Sequence, residues 1–332
     1  MFNRVFAWLV RFFVSSFLVW IVLTTVIPQT VTKYTHPDVQ VGQFHKSWYP
    51  YRSLVGDPSP LTNSTVLFVV AHPDDEVMFF SPSVIEASKP QNGNLVRLLC
   101  LSNGDASDVS MGTIRAAELK SAARILGIHT NDVEVLEDGQ FKDGMSESWD
   151  IDQVADTIEQ AVSSAITTTM AKSPSVTTVR AAREQIVVVT FDSQGVSNHP
   201  NHISLHHGAV QWYKKYQRSQ VDTKRPRGTS LLFLRSLSFF EKYSFTLVTN
   251  CELFAEHVSR LVLGNIFKLN VNIAFFSRAS ASSPVTFYSD LNMLSVAYAA
   301  MAYGHFSQMV WFRYGWLIFS RYLTFNQLVP VE

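Results

Sequence analysis

The sequence predicts an α/β fold in which helices flank a mostly parallel sheet. Continuous apolar runs at 66–71, 95–101 and 186–191 are typical of strands that are buried on both faces. Helical segments separate these runs, and the alternation of strand and helix is the pattern of a parallel sheet. A long apolar segment at the N-terminus adds a membrane helix to this predicted domain.

The N-terminal segment from Val5 to Ile27 is almost entirely apolar, with Arg11 as its interruption. A helix of this length could cross a bilayer, and Arg11 could extend its charge to the headgroups. A cleaved signal peptide is the alternative, because Arg4 precedes the apolar core. We favour an uncleaved anchor, since no small-x-small cleavage site precedes Pro28.

The chain divides into three parts by composition. Residues 1–30 form the predicted membrane anchor, and residues 31–63, rich in Pro, Tyr, Trp and His without a clear period, form a linker. Residues 64–325 form the main domain. Asn63 begins an Asn-Ser-Thr glycosylation sequon, and its modification would show that the domain is luminal.

Within the main domain, periodicity and helix-ending residues predict the order of elements. In chain order we expect helix 76–89 despite Pro82, strand 95–101, helix 112–126 closed by Gly127, strand 133–136, helix 151–165, strand 186–191, a helix to about 216 and strand 231–237.

Three segments are harder to place. Residues 168–184, rich in Thr, Ser and Ala, are expected to be a variable surface insertion. The basic segment 218–227 is either a solvated loop or a contact for anionic headgroups. Residues 290–325 are rich in Ala, Met and aromatic residues, and they contain either an interfacial helix or a helix that closes the core.

Composition excludes some classes of function. The 27 basic and 27 acidic residues give no net charge, so nothing favours binding to nucleic acid. Charged residues make up only 16% of the chain and aromatic residues 13%, which indicates contact with a membrane. Two cysteines are too few for a disulfide scaffold.

A cluster of ionisable residues, His72-Pro73-Asp74-Asp75-Glu76, follows the first strand directly. Pro73 ends that strand, and the carboxyl ends of strands are where ligands bind in open α/β sheets. One histidine and three acids are costly to bury there unless a cation compensates them. Imidazole nitrogen with carboxylate oxygen suits zinc, although capping of the next helix by Asp74 or Asp75 is the simpler alternative.

A second cluster, His199-Pro200-Asn201-His202, follows the apolar run 186–191. Two strand ends that each carry His-Pro and a further ligand-type residue can converge on one ion, which favours a metal site over capping. His202 and His206 have the spacing of a zincin pair, but Ile203 stands where a zincin has glutamate, which argues against that class.

The AHPDDE and HPNH motifs together resemble the LmbE-like family of zinc-dependent de-N-acetylases. The resemblance covers roughly residues 64–325 and implies a Rossmann-like sheet. It is strongest to members that deacetylate N-acetylglucosaminyl-phosphatidylinositol, a lipid-linked sugar of GPI-anchor biosynthesis. Further matching segments are LSNGDA at 101–106, Arg115 with Glu118, TFDSQGVSNHPNH at 190–202, HFSQ at 305–308 and SRY at 320–322.

The resemblance implies a ligand set of His72, Asp75 and His202 for Zn2+ or another divalent cation. Three protein ligands leave one position open, as in catalytic zinc sites. It also implies that Asp74 is the general base and that His199 stabilises the oxyanion or protonates the departing amine.

The role given to His199 would require it to be protonated for part of the cycle, and Asp192 could favour this. Asp192 could equally be a structural turn residue. Arg115 and Asp105 match substrate-binding positions, and an ion pair with Glu118 on the same helix is the alternative for Arg115.

The resemblance also implies a single-pass protein of the endoplasmic reticulum membrane with its catalytic domain in the cytosol. The positive-inside rule disagrees, because Arg4 and Arg11 would keep the N-terminus cytosolic. The expected partners are the lipid-linked sugar and the membrane, with no nucleic acid and no protein partner identified. The alternatives are a deacetylase of another amino sugar and an inactive sugar-lipid binding subunit, although a binder has no need of Asp74.

Overall fold

The computed structural model describes residues 2–30, 61–105, 109–137, 139–172, 185–221, 228–259 and 284–331. The strands are β1 Thr65–Val70, β2 Leu95–Cys100, β3 Val133–Val135, β4 Ile186–Phe191, β5 Thr229–Leu234, β6 Val285–Tyr288 and β7 Phe325–Pro330. The regular α-helices are α1 Phe2–Ile21, α2 Asp75–Met78, α3 Ser81–Ser88, α4 Val109–Ile125, α5 Ile151–Lys172, α6 Pro200–Val221, α7 Phe239–Lys242, α8 Leu247–Ser259, α9 Leu291–Ala299 and α10 Trp311–Phe319. A kinked helical segment, Gly195–Asn198, precedes α6.

The seven strands form one sheet in the order β3-β2-β1-β4-β5-β7-β6. The first five pair in parallel, whereas β7 is antiparallel to both β5 and β6. The prediction of a mostly parallel sheet is therefore confirmed. Because β1 lies between β2 and β4 and all six of its residues are buried, its uninterrupted apolar run has a physical reason.

The helix predicted over 76–89 is divided in two, which corrects that prediction. Phe79 and Phe80 separate α2 from α3, and Pro82 stands in the first turn of α3. Proline is tolerated there because the first amides of a helix have no partner within the helix, whereas inside a continuous helix its ring would clash.

Helix α4 ends as predicted at a glycine. Gly127 has a φ of 99°, and its amide donates to the carbonyl of Arg124 while the amide of Ile128 donates to that of Ala123. These two bonds form a Schellman cap, which satisfies carbonyls that the last turn of the helix leaves unpaired.

The N-terminal apolar segment is helical, and its second half is part of the fold. Helix α1 continues through a π-helical turn at Val22–Val26. Within the described residues, one such helical stretch, Arg4–Thr30, is long and apolar enough to cross a membrane. Trp20 is fully buried, Phe17 stacks on Phe245, and the side-chain amide of Asn250 donates to the carbonyl of Ser16 at 2.8 Å.

The C-terminal region contains one helix that closes the core and one helix that is exposed. Helix α9 buries Leu294 and Ala297 and closes the core, whereas no residue of α10 is buried. Strand β7 was not predicted, because Asn326 and Gln327 interrupt its apolar pattern. Asn326 is nevertheless buried, and its side-chain amide donates to the carbonyl of Phe79 at 2.8 Å.

Two predicted loops begin later in the chain than expected, because the helices before them are longer. Helix α5 continues to Lys172, four residues beyond the predicted start of the insertion at 168, and residues 173–184 lie outside the described part. Helix α6 continues to Val221, so Arg218 is helical, and residues 222–227 also lie outside it. Most of the predicted linker, residues 31–60, is likewise not described.

Replacing Gly304 should destabilise the packing of α4. A methyl group at Gly304 would lie 2.6 Å from both the Cα and the Cβ of Ala122, too close for either backbone to accommodate without moving. We expect Gly304→Ala to lower the free energy of unfolding by about 1–3 kcal/mol. The matched control is Gly315→Ala in α10, where nothing lies within 4 Å and the change should be neutral or slightly stabilising. Thermal unfolding followed by circular dichroism in detergent measures both, and equal Tm values for the two variants would contradict this account.

Candidate functional site

The parallel pairing of β1 with β4 brings the two His-Pro motifs together. Phe68 of β1 is paired with Val189 of β4, so both strands end at the same edge of the sheet. Nδ1 of His72 consequently lies 3.3 Å from Nε2 of His202, although 129 residues separate them in the chain. Both imidazoles are buried.

The backbone of the first motif is strained and held by side chains. Asp74 has a φ of 126°, a conformation that costs an L-residue on the order of 1–3 kcal/mol. Its amide donates to Oε2 of Glu76 at 3.2 Å. Oδ2 of Asp75 accepts from the amides of Ala71 at 3.0 Å and His72 at 2.9 Å, which fixes this carboxylate at the end of β1.

The turn that precedes the second motif is also strained. Val196 has a φ of 62°, rare for a β-branched residue, and its amide donates to Oγ of Ser236 at 2.8 Å. Gly195 passes so close to His202 that a Cβ at this position would lie 2.8 Å from the Cβ of His202. The carbonyl of Gly195 is 3.0 Å from Nδ1 of His202, so Nδ1–H donates and Nε2 carries the lone pair.

Asn201 fixes the tautomer of His72 in the same way. Nδ2 of Asn201 donates to the carbonyl of Glu147 at 2.7 Å, so Oδ1 must be the atom that faces Nε2 of His72 at 2.9 Å. Asp143 places a carboxylate oxygen 3.3 Å from the same nitrogen. Nε2–H of His72 therefore donates, and the lone pair of His72 is on Nδ1.

Three lone pairs consequently converge on one point. Oδ2 of Asp75 lies 3.6 Å from Nδ1 of His72 and 3.4 Å from Nε2 of His202, and the two nitrogens are 3.3 Å apart. Zinc bonds of about 2.0–2.1 Å in a tetrahedron place neighbouring donors about 3.3 Å apart. The donor set fits zinc both in spacing and in chemistry, because three converging acceptors repel one another without a cation.

The electrostatics of the buried donors show how strongly they interact. Burial raises the pKa of Asp75, but the imidazoles of His202 and His72 outweigh it and hold that pKa well below its usual value. Burial lowers the pKa of His202, while the carboxylate of Asp75 raises it and prevails. The carboxylate is therefore ionised, as a metal ligand must be.

His199 lies beside the donor set and is neutral near pH 7. Burial, and then the neighbouring imidazoles of His72 and His202, lower the pKa of His199 to about 4. The amide of Asn201 donates to Nδ1 of His199 at 3.3 Å, so the single proton of the neutral ring is on Nε2. A neutral His199 can therefore donate one hydrogen bond. The protonated state expected from the sequence is not needed for that role.

The structure also permits a second ligand set. Ligand atoms of His72, His199 and His202 all lie within 4.8 Å of one another, which brings His199 into range of the same ion. We favour Asp75 as the third ligand, because its Oδ2 lies 3.6 Å from Nδ1 of His72 and 3.4 Å from Nε2 of His202 and is fixed by two backbone amides.

The carboxylate near His199 is Asp143, which sequence reasoning missed. Oδ1 of Asp143 lies 4.0 Å from Nε2 of His199, whereas the carboxylate of Asp192 accepts from the amide and hydroxyl of Ser236. These contacts of Asp192 are those of a turn residue, which is one of the two roles that the sequence offered for it. The only signal for Asp143 was its Asp-Gly turn, because no apolar run precedes it.

Arg115 faces the site, and Asp105 lies on the loop beside it. The guanidinium of Arg115 donates to the carbonyl of Gly104, to Oε1 of Gln308 at 3.0 Å, and lies 3.7 Å from Asp143. The backbone amide of Asp105 donates to Asn103 at 3.2 Å. Glu118 instead accepts from the amide and hydroxyl of Ser307. Arg115 and Glu118 therefore do not form the ion pair that was the alternative for Arg115.

The C-terminal region supplies contacts that the sequence did not reveal. Arg313 of α10 forms an ion pair with Oδ2 of Asp74. His305 bonds Glu76 at 2.5 Å with both side chains fully buried, and Gln308 bonds His305 at 2.9 Å. The HFSQ segment therefore supports Glu76, which in turn accepts from the strained amide of Asp74.

Comparison with known proteins identifies the family. The family described as PIG-L, GlcNAc-PI de-N-acetylase, matches residues 67–213. A probable N-acetylglucosaminyl-phosphatidylinositol de-N-acetylase of Schizosaccharomyces pombe is 34% identical over 269 residues, covering 81% of this chain and 87% of the relative. The N-acetylglucosaminyl-phosphatidylinositol de-N-acetylase of Bos taurus is 31% identical over 269 residues, covering 81% of this chain and 84% of the relative. A crystal structure of a deacetylase triple mutant from the teicoplanin biosynthetic pathway superposes with a TM-score of 0.46 at 12% identity, over 81% of this chain and 99% of that one. By its identity to these relatives over most of their length, the chain belongs to the PIG-L family of GlcNAc-PI de-N-acetylases.

Proposed function

We propose that this protein hydrolyses the N-acetyl group of N-acetylglucosaminyl-phosphatidylinositol, a step of GPI-anchor biosynthesis that yields glucosaminyl-phosphatidylinositol and acetate. The observation that carries the proposal is the triangle of donor atoms from His72, Asp75 and His202, with sides of 3.3–3.6 Å, in a chain of this family. Binding of Zn2+, or of another divalent cation, by these residues is part of the proposal. A zinc ion held there would polarise the amide carbonyl and lower the pKa of water toward neutrality.

Asp74 and His199 handle the protons in this scheme. Asp74 takes a proton from the attacking water, and Arg313 holds its carboxylate in place through their ion pair. Nε2–H of the neutral His199 donates to the oxygen that becomes negative as the tetrahedral carbon forms. When the carbon–nitrogen bond breaks, the proton held by Asp74 passes to the amine, so that water and amide become acetate and a free amino sugar.

Arg115 and Asp105 are proposed to bind the polar part of the substrate. Arg115 is partly exposed beside Asp143, and its planar guanidinium suits a phosphate or a sugar hydroxyl. The N-terminal helix Arg4–Thr30 is the proposed anchor that keeps the enzyme on the membrane with its lipid-linked substrate.

We further propose that the protein resides in the endoplasmic reticulum membrane with its catalytic domain in the cytosol, as the family resemblance implies. Asn63 is exposed, and the sequon Asn63-Ser64-Thr65 ends on the first residue of β1. Absence of glycan at Asn63 in the native protein agrees with a cytosolic domain, whereas a glycan there would place the domain in the lumen.

The reaction class is tested by acetate release from the radiolabelled acetylated glycolipid by purified protein. We expect release to stop when a chelator is added and to return with zinc. Free N-acetylglucosamine serves as the substrate control, and equal turnover of both compounds would point to a deacetylase of another amino sugar.

The ligand set is tested by metal content. We expect His202→Ala to lose bound zinc, because two remaining ligands hold it weakly, whereas His199→Gln should retain about one equivalent. Inductively coupled plasma mass spectrometry of the purified variants measures this. Loss of zinc from His199→Gln would instead place His199 among the ligands.

Asp74→Asn should lower turnover by about 10²–10⁴-fold, because an amide cannot accept the proton of the attacking water. Bound zinc should stay unchanged, since Asn still fills the volume beside Arg313 and the three donors are intact. Single-turnover kinetics with a parallel zinc determination separate the two effects. Turnover like that of the wild type would remove Asp74 as the base.

Asn201→Leu should weaken zinc binding by about 10–100-fold, because Nε2–H of His72 loses the oxygen that fixes its tautomer. Asn201→Asp keeps an oxygen in that position and is the matched control. Competition with a chelating dye gives both zinc Kd values. If both variants bind zinc as the wild type does, Asn201 does not orient His72.

A further inference from the structure

The outer side of helix α10 is unusually apolar for a protein surface. Trp311 is 84% exposed and Phe312 is 53% exposed. We call the exposed apolar side chains of this helix the aromatic face: Trp311, Phe312, Tyr314, Ile318 and Phe319. A helix on a water-facing surface normally carries charged residues on its outer side. The one charged residue of α10, Arg313, turns inward to Asp74 instead.

The aromatic face is continuous with the N-terminal apolar helix. The rings of Phe13 and Phe319 are 5.7 Å apart and packed edge to face. The carbonyl of Phe319 accepts from the amide of Phe245 at 3.1 Å, and Phe245 stacks on Phe17 of α1. The membrane-helix candidate and α10 therefore meet along one shared surface.

The length of the free part of α1 determines where a bilayer would have to lie. Residues 4–12 are all exposed, and these nine residues extend about 14 Å as a helix. The hydrocarbon core of a bilayer is about 30 Å thick. About half of the crossing must therefore come from residues after 12, which include Phe13 and Phe17 and are packed against the domain. The parts of the domain that touch them, including the end of α10, are thereby drawn to the level of the membrane.

From this continuity and this length we propose that the aromatic face of α10 lies in the headgroup and upper acyl region of the same bilayer that α1 enters. Trp and Tyr side chains are enriched at this depth, where their apolar rings are buried and their polar ends stay hydrated. The uncharged outer side of α10 suits this environment. The bilayer is also the partner that α1 already requires.

This docking would hold the site at the membrane surface. Arg313 connects the docked helix to Asp74, and Trp316 of the same helix packs 5.5 Å from Phe79, next to α2. The reacting residues then face the layer in which a lipid-linked sugar carries its headgroup. This consequence rests on the proposed function, whereas the position of α10 does not.

The position of α10 can be measured in the full chain reconstituted in lipid nanodiscs. Exposed Cys251 is replaced by serine, buried Cys100 is kept, and a bimane label is attached at Phe312→Cys. The matched control carries the label at Gln160→Cys, an exposed position on α5 outside the aromatic face. We expect lipids brominated near the top of the acyl chain to quench the label at 312 several-fold more than the label at 160.

Aqueous iodide gives the complementary result. It should quench the label at 160 several-fold more than the label at 312. Strong iodide quenching at both positions, with no effect of brominated lipid at 312, would overturn the proposal and leave α10 in water. Protection of 312 from iodide without lipid quenching would also overturn it, and would show that a second copy or another protein covers the aromatic face.

A kinetic measurement then tests the consequence for the site separately. The double variant Trp311→Ser and Phe312→Ser should lower kcat/KM several-fold for glycolipid embedded in the nanodisc. It should leave turnover of the same glycolipid unchanged when this is dispersed singly in detergent. Equal loss in both settings, or no loss in the nanodisc, would contradict this consequence for the site, whereas absence of activity in the wild type would contradict the proposed function.

Discussion

Convergence of three buried lone pairs is the constraint on which the rest of the site depends. The tautomer of His72 is determined by Asn201, and that of His202 by the carbonyl of Gly195, so both rings turn a lone pair toward Oδ2 of Asp75. Such an arrangement is repulsive by itself and favourable around a divalent cation. The groups that orient the donors would thus belong to the proposed metal site as much as the donors do.

The backbone around the site is strained on both sides. Asp74 and Val196 have positive φ angles, and each lies in the short segment between a strand end and its helix. The amide of Asp74 donates to the side chain of Glu76 two residues on, and the amide of Val196 donates to the side chain of Ser236. Strain of this kind persists only when the surroundings over-determine it, and it collects at functional sites.

The C-terminal third of the chain completes the site and connects it to the proposed membrane surface. His305 supports Glu76, Gln308 contacts both His305 and Arg115, and Arg313 pairs with Asp74. The antiparallel strand β7 secures this region to the sheet, where Asn326 bonds the carbonyl of Phe79 behind the first motif. The matched family region ends at residue 213, so these contacts come from the part of the chain beyond it.

The sequence alone determined the elements whose signals are local. The apolar runs of β1 and β4 predicted a buried parallel sheet, Gly127 predicted a helix end, and two His-Pro motifs at strand ends predicted a common site. Only the tertiary structure decided which acid accompanies His199, how His72 is oriented and what faces Asp74. Asp143, Asn201 and Arg313 act across separations of 56 to 239 residues, and no local periodicity records such contacts. The physical reason is that hydrogen bonds and ion pairs depend on where side chains meet in space, whereas strand and helix patterns depend on which side of each element is buried.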